Sequence, residues 1–240
     1  ICLVILIFSF KKQSHISFFN WKLFKNNFNN LKYVEKLILY FLILVLSYSL
    51  FQNYLSPITD WDSLALYDFR AKVIAVEGSM LEGINLGYFF QYPPYTSFLH
   101  VFGYIFGAER VKIVYSFIYF SLLTVFYSLL RRNQKSWVAL LGTLLLSVDT
   151  FIFRHSTIAY SNLSYVTFLS LGIIYLNFWL FSSRKKELFV GSFLVAISTW
   201  IRASDPFWYI GLLIIILGTL KNRKEVKQSL LSSLMLLGIY

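Results

Sequence analysis

Long apolar runs separated by short basic clusters constrain this chain more than any single motif. The runs cover residues 36–51, 111–130, 137–153, 158–181, 188–201 and 207–220. A helix of about 20 apolar residues spans the hydrocarbon of a bilayer. Several runs reach that length, and the last two are shorter and need help from flanking residues. A buried soluble core could account for one such run, but not for six in succession. Only 14% of the side chains are charged and 20% are aromatic, so little polar surface is left for a water-soluble shell. The expected fold is all-α: a polytopic transmembrane helical bundle over residues 1–240.

Charge placement sets the expected orientation. The net charge of +11 could point to nucleic acid, but its distribution argues against that partner. Residues 11–36, 131–136, 182–187 and 221–228 hold 16 of the 22 basic residues, with only Glu35, Glu187 and Glu225 among the acids. Cytoplasmic loops are enriched in Lys and Arg, so these are read as the inner loops. The remaining acids, Asp60, Asp62, Asp68, Glu77, Glu82, Glu109, Asp149 and Asp205, fall at the opposite ends of the runs. Residues 11–35 then form a basic, aromatic linker along the inner headgroups. Residues 53–109 form the longest external loop, in which 95–107 is too short to span and is expected to lie in the outer interface. The chain begins and ends inside apolar runs, as expected of an internal piece of a longer protein. A single cysteine, Cys2, allows no internal disulfide.

Six basic residues defy the inner bias: Arg70, Lys72, Arg110, Lys112, Arg154 and Arg202. Such charges are functional candidates by default. They share the outer side with TDWDSLALYDFRAKVIAVEG (59–78), the densest charge cluster in the chain. Asp62 has two readings, a capping box with Thr59 or a catalytic carboxylate, and Asp60 is a second candidate for either. Asp68 and Lys72 have the spacing of an i, i+4 ion pair. Arg70 and Lys72 project about 160° apart on a helix and cannot serve one ligand equally. In QYPPYTSFLHVFG (91–103) the tandem prolines stiffen the entry to a helix, and Tyr92 and Tyr95 are candidates for a substrate groove. Asp205 before Pro206 has the pattern of an N-cap, whereas Arg202 could snorkel or hold a phosphate. The three histidines, 15, 100 and 155, lack metal-ligand spacing, and no phosphate-cradling glycine loop or GxSxG occurs. No metal or cofactor is expected.

The runs WDSLALYDFRAKVI, YPPYTSFLHVFG, RHSTIAYSNLSYVTFL and GSFLVAISTWIRASDPF fall in an order that resembles GT-C fold membrane glycosyltransferases. The resemblance covers residues 36–220 and is nearest to the dolichyl-phosphate-mannose protein mannosyltransferases and aminoarabinose transferases. It implies inverting transfer of a sugar from a polyprenyl-phosphate donor to a lipid, glycan or protein acceptor at the outer face of a prokaryotic plasma membrane. It also implies Asp62 as the base, with Asp60 second, and Arg70 or Lys72 together with Arg202 on the donor phosphate. Tyr92, Tyr95, His155 and Asn162 would line the groove. Asn162 stands in AYSNLS where relatives often carry an aspartate, and an amide cannot act as a base. A multi-pass transporter or lipid flippase, or a polymerase or ligase of lipid-linked glycans, is the alternative. A transporter predicts midplane charges and repeated halves, and neither is evident here.

Overall fold

The computed structural model describes residues 31–80, 92–107, 110–202 and 205–221. Most of the N-terminal basic linker, Glu82, Glu109, His15 and the C-terminal apolar run lie outside the described residues. Helix α1 (Tyr33–Leu55) is followed by a π-helical stretch, Ser63–Asp68, that continues into α2 (Phe69–Glu77). Then come α3 (Tyr95–Ile105), α4 (Ile113–Leu130), α5 (Ser136–Val148), α6 (Thr150–His155), α7 (Ser161–Ser182) and α8 (Lys185–Ile201). A 3-10 turn, Pro206–Trp208, leads into α9 (Tyr209–Lys221). Among the described residues there is no strand, so the chain is all-α as expected.

Among the described residues three helices, α1, α4 and α7, are long and apolar enough to cross a membrane, while α5 and Pro206–Lys221 are shorter apolar helices. The expected crossing at 136–153 is divided at Asp149. Its carboxylate accepts hydrogen bonds from the backbone N–H groups of Phe151 (3.1 Å) and Ile152 (3.0 Å) and so caps α6. An acid inside an apolar run here has a structural cause, worth about 1 kcal/mol. The short helix expected at 95–107 is found as α3.

Helices α7 and α8 run antiparallel in close contact because glycines remove the side chains between them. A Cβ on Gly172 would lie 2.9 Å from the Val195 nitrogen, and one on Gly191 would lie 2.9 Å from the Leu176 nitrogen. Small residues at such crossings let backbones approach, which is how apolar helices gain packing energy where lipid offers no hydrophobic drive. Helix α9 joins the same seam through Gly211 against Val195 and Gly218 against the Trp179 ring.

The two ends of α7 carry different chemistry. At its C-terminal end the buried Glu187 carboxylate takes a hydrogen bond from Arg132 Nη1 at 2.8 Å, and the same guanidinium lies over the Phe178 ring at 4.7 Å. At its N-terminal end Asn162 meets Arg202. Twenty-two residues at 1.5 Å each separate these clusters by roughly 30 Å. The basic loops 131–136 and 182–187 thus meet at one end of the bundle, and Arg202 stands at the other. Helix α1 joins through a buried polar cluster: Ser49 Oγ meets Ser156 Oγ at 3.0 Å, and Asn53 Nδ2 donates to Ser116 Oγ at 2.8 Å and to the Ser156 carbonyl at 2.7 Å.

Candidate functional site

The WDS turn is positioned by the widened stretch that follows it. Phe69 N–H bonds to the Leu64 carbonyl, five residues back, so this segment is wound wider than an α-helix. The extra residue turns Ser63, Tyr67 and Asp68 inward, where all three are buried. Ser63 Oγ donates to the Ala159 carbonyl at 3.1 Å, and the Tyr67 hydroxyl meets Ser161 Oγ at 3.1 Å. These bonds pin the turn to the connection between α6 and α7. Asp62 sits at the start of the wide stretch, exposed, and its side chain makes no cap hydrogen bond. The expected capping box is therefore not formed.

Beside it runs a chain of polar side chains drawn from three helices. Arg202 Nη1 donates to Asn162 Oδ1 at 3.0 Å, and Asn162 Nδ2 lies 3.3 Å from His155 Nε2. A guanidinium only donates, so the amide oxygen must face Arg202 and the amide nitrogen must face His155. His155 Nε2 is then the acceptor, and the imidazole proton sits on Nδ1, a buried atom without a hydrogen-bond partner in the described structure. Burial lowers the His155 pKa, the positive charges of Arg154 and Arg202 lower it further, and Asp60 opposes them. The ring is held neutral. Arg202 Nε also pairs with Asp205 Oδ2 at 3.1 Å, and its guanidinium lies 5.8 Å from the centre of the Tyr165 ring. Asp205 occupies the N-cap position before Pro206, as expected, but its side chain caps nothing there.

Asp62 and Arg202 share one neighbourhood. Burial raises the pKa of the Tyr67 hydroxyl; the Ser161 hydrogen bond and the charge of Arg202 lower it, while Tyr92 and Asp62 raise it. Tyr160 is also raised, by burial and then by the charges of Asp62 and Asp60, and its hydroxyl takes a hydrogen bond from the Asp62 backbone. The structure thus gathers Asp60, Asp62, His155, Asn162 and Arg202 around two tyrosines that sequence reasoning did not select. Tyr160 lies inside the AYSNLS stretch and could have been chosen from it. Tyr67 is five residues from Asp62, and an ordinary helical wheel hides that pairing. The Tyr92 ring packs edge-on to Tyr67 at 6.2 Å and is half exposed.

Three expected site residues are placed elsewhere. Arg70 is buried and donates to Ser97 Oγ (2.7 Å), the Tyr92 carbonyl (2.8 Å) and the Pro93 carbonyl (3.1 Å). Its guanidinium braces the proline loop, where the expectation was a phosphate. Tyr95 is buried between Phe168 and Trp200, with ring centres 5.9 and 6.0 Å away, and is a core residue instead of a groove wall. Lys72 is exposed and forms the expected pair with Asp68 at 2.8 Å.

Asp68 is the centre of a second cluster. Besides Lys72 it accepts from His100 Nδ1 at 3.2 Å and from the Tyr104 hydroxyl, and His100 Nε2 meets the Tyr115 hydroxyl at 3.0 Å. Burial alone would raise this carboxyl; the bonds from His100, Lys72 and Tyr104 overrule it and hold the pKa at about 2.

Set against known proteins, the chain matches no family model, no curated protein and no solved structure. What the described residues define is an all-α fold with three helices long and apolar enough to cross a membrane and a polar cluster at the end of α7 away from Glu187.

Proposed function

We propose that the chain is the core of a multi-pass membrane glycosyltransferase, with Asp62 as general base and Arg202 as the cation for the departing phosphate. The observation that carries this reading is that the start of α7 holds both partners: Ser63, next to the exposed and uncapped Asp62, donates to the Ala159 carbonyl, and Arg202 donates to Asn162. In the proposed step Asp62 takes the proton of an acceptor hydroxyl, and the oxygen attacks the anomeric carbon as the bond to the phosphate oxygen breaks. The electron pair leaves on the polyprenyl phosphate, where Arg202 offsets the charge. Attack opposite the leaving group inverts the anomeric centre.

The Asn162–His155 pair holds Arg202 in place. The basic loops meeting at the Glu187 end, read with the inner bias of Lys and Arg, support an outward orientation of this site; a prokaryotic plasma membrane is part of the same proposal. Asp62→Asn keeps size and hydrogen bonding but removes the base. Transfer from a labelled polyprenyl-phosphate sugar by the full-length protein should fall by about 10²–10⁴-fold, with membrane insertion unchanged. Transfer at the normal rate would remove Asp62 from the mechanism.

A further inference from the structure

A cavity of about 200 Å³ opens where the end of α1, the π-helical stretch and α3 meet the approach to α4. It is lined by Asn53, Asp68, Lys72, Tyr104, Arg110 and Lys112 among others, and none of Asp62, His155, Asn162 or Arg202 lines it. The volume equals that of several waters at about 30 Å³ each, so it admits a small polar group.

The charges around it do not balance. Among the described lining residues three cations stand beside one carboxylate, Asp68, which is already occupied by Lys72, His100 and Tyr104; Asp60 acts on Lys112 from outside the lining. Lys112 is buried, 5% exposed, and its one hydrogen bond to the described residues is of 3.3 Å to the Pro57 carbonyl. Arg110 rests over the Tyr54 ring at 5.9 Å and makes no hydrogen bond with the described residues. A buried ammonium with a guanidinium beside it calls for an anion.

A second requirement comes from Asn53, which is fully buried. Its Nδ2 donates to Ser116 Oγ and to the Ser156 carbonyl, and since a carbonyl only accepts, the amide cannot be turned round. Its Oδ1 is left without a partner, a costly state for a buried acceptor. The missing partner is a donor such as a hydroxyl. The surroundings add a third requirement. Phe102 and Phe106, with ring centres 4.8 Å apart, are exposed together with Ile105 on α3, and Tyr54 and Leu55 are exposed at the end of α1. Apolar surface on both sides of a cationic cavity suits a ligand with acyl chains.

We propose that this cavity binds the headgroup of an anionic phospholipid that carries hydroxyls, a phosphoglycerol, with its phosphate at Arg110 and Lys112 and a hydroxyl on Asn53. The proposal needs α1 and α4 to lie in a membrane but does not depend on glycosyl transfer. Native mass spectrometry of the full chain, purified with phosphatidylglycerol and phosphatidylcholine in equal amounts, tests it directly. Phosphatidylglycerol should be retained about tenfold more strongly. Arg110→Gln, an exposed change that spares the fold, should remove most of that preference, while Lys185→Gln at the other end of the bundle should leave it intact. Equal retention of the two lipids, or no change in Arg110→Gln, overturns the proposal. So does equal occupancy by soluble glycerol 1-phosphate, which would make the site one for a free phosphate ester.

Discussion

Replacing Asn162 by aspartate changes one atom and reverses the proton logic of the candidate site. In the native chain Arg202 takes Asn162 Oδ1, which leaves Nδ2 to face His155 Nε2, so the imidazole offers a lone pair there and carries its proton on Nδ1. A carboxylate cannot donate. In Asn162→Asp the contact survives only if His155 Nε2 gains a proton. An opposite charge within hydrogen-bonding distance raises the pKa of a cation by about 1–3 units. Arg202, which helps to depress His155 in the native chain, offsets part of that, so a rise of about 1–2 units is expected. The assay is a pH titration of ¹⁵N-histidine resonances in detergent micelles. The chain has only three histidines, and His155→Gln assigns the relevant signal. The native ring should be neutral near pH 7 with the proton on Nδ1, and the variant should titrate higher with Nε2 protonated. An unchanged midpoint and tautomer would refute the derived hydrogen-bond chain.

Arg202→Ala should raise the KM for a polyprenyl-phosphate donor about tenfold or more while changing the acceptor KM little; equal effects on both would argue against a phosphate role. Gly218→Ala places a methyl group inside the Trp179 ring, which is itself buried, and should destabilise the bundle by about 1–3 kcal/mol, read as a lower unfolding midpoint in detergent. Asp68 has a folded pKa of about 2 against an ordinary 3.8, so its contribution is present above about pH 4 and is lost as the pH falls towards 2. Acid unfolding should flatten over that window in Asp68→Asn, by about 2 kcal/mol; a profile that stays as steep would place the acid sensitivity elsewhere.

The fold was legible where periodicity is simple. Runs of apolar residues announced α1, α4 and α7, and the proline pair announced the short α3, because backbone hydrogen bonding in an apolar segment leaves few alternatives. The break at Asp149 was harder to see, since a cap and a charge within a helix look the same until backbone N–H groups are seen on the carboxylate. The separation of Arg70 from Lys72 followed from angle alone, but which of the two turns inward did not. That choice depends on Ser97 and two loop carbonyls, partners 22 to 27 residues distant. Asp68, His100 and Tyr115 meet from three segments, and no local spacing reports such a meeting. Tyr95 and Tyr92 carry the same chemistry three residues apart, and only packing tells the core ring from the half-exposed one.

A helix wound with one residue too many keeps both of its flanks in step while breaking the count between them. Shortening the chain by Ala65 would close the rings back to the ordinary width, and Asp62 and Arg70 would keep their angular relation. Loss of Phe69 at the start of α2 would instead swing Arg70 by about 100° and tear it from the proline loop. The widened stretch Ser63–Asp68 is thus a place on this face where the helix can lose one residue and keep its flanks in register.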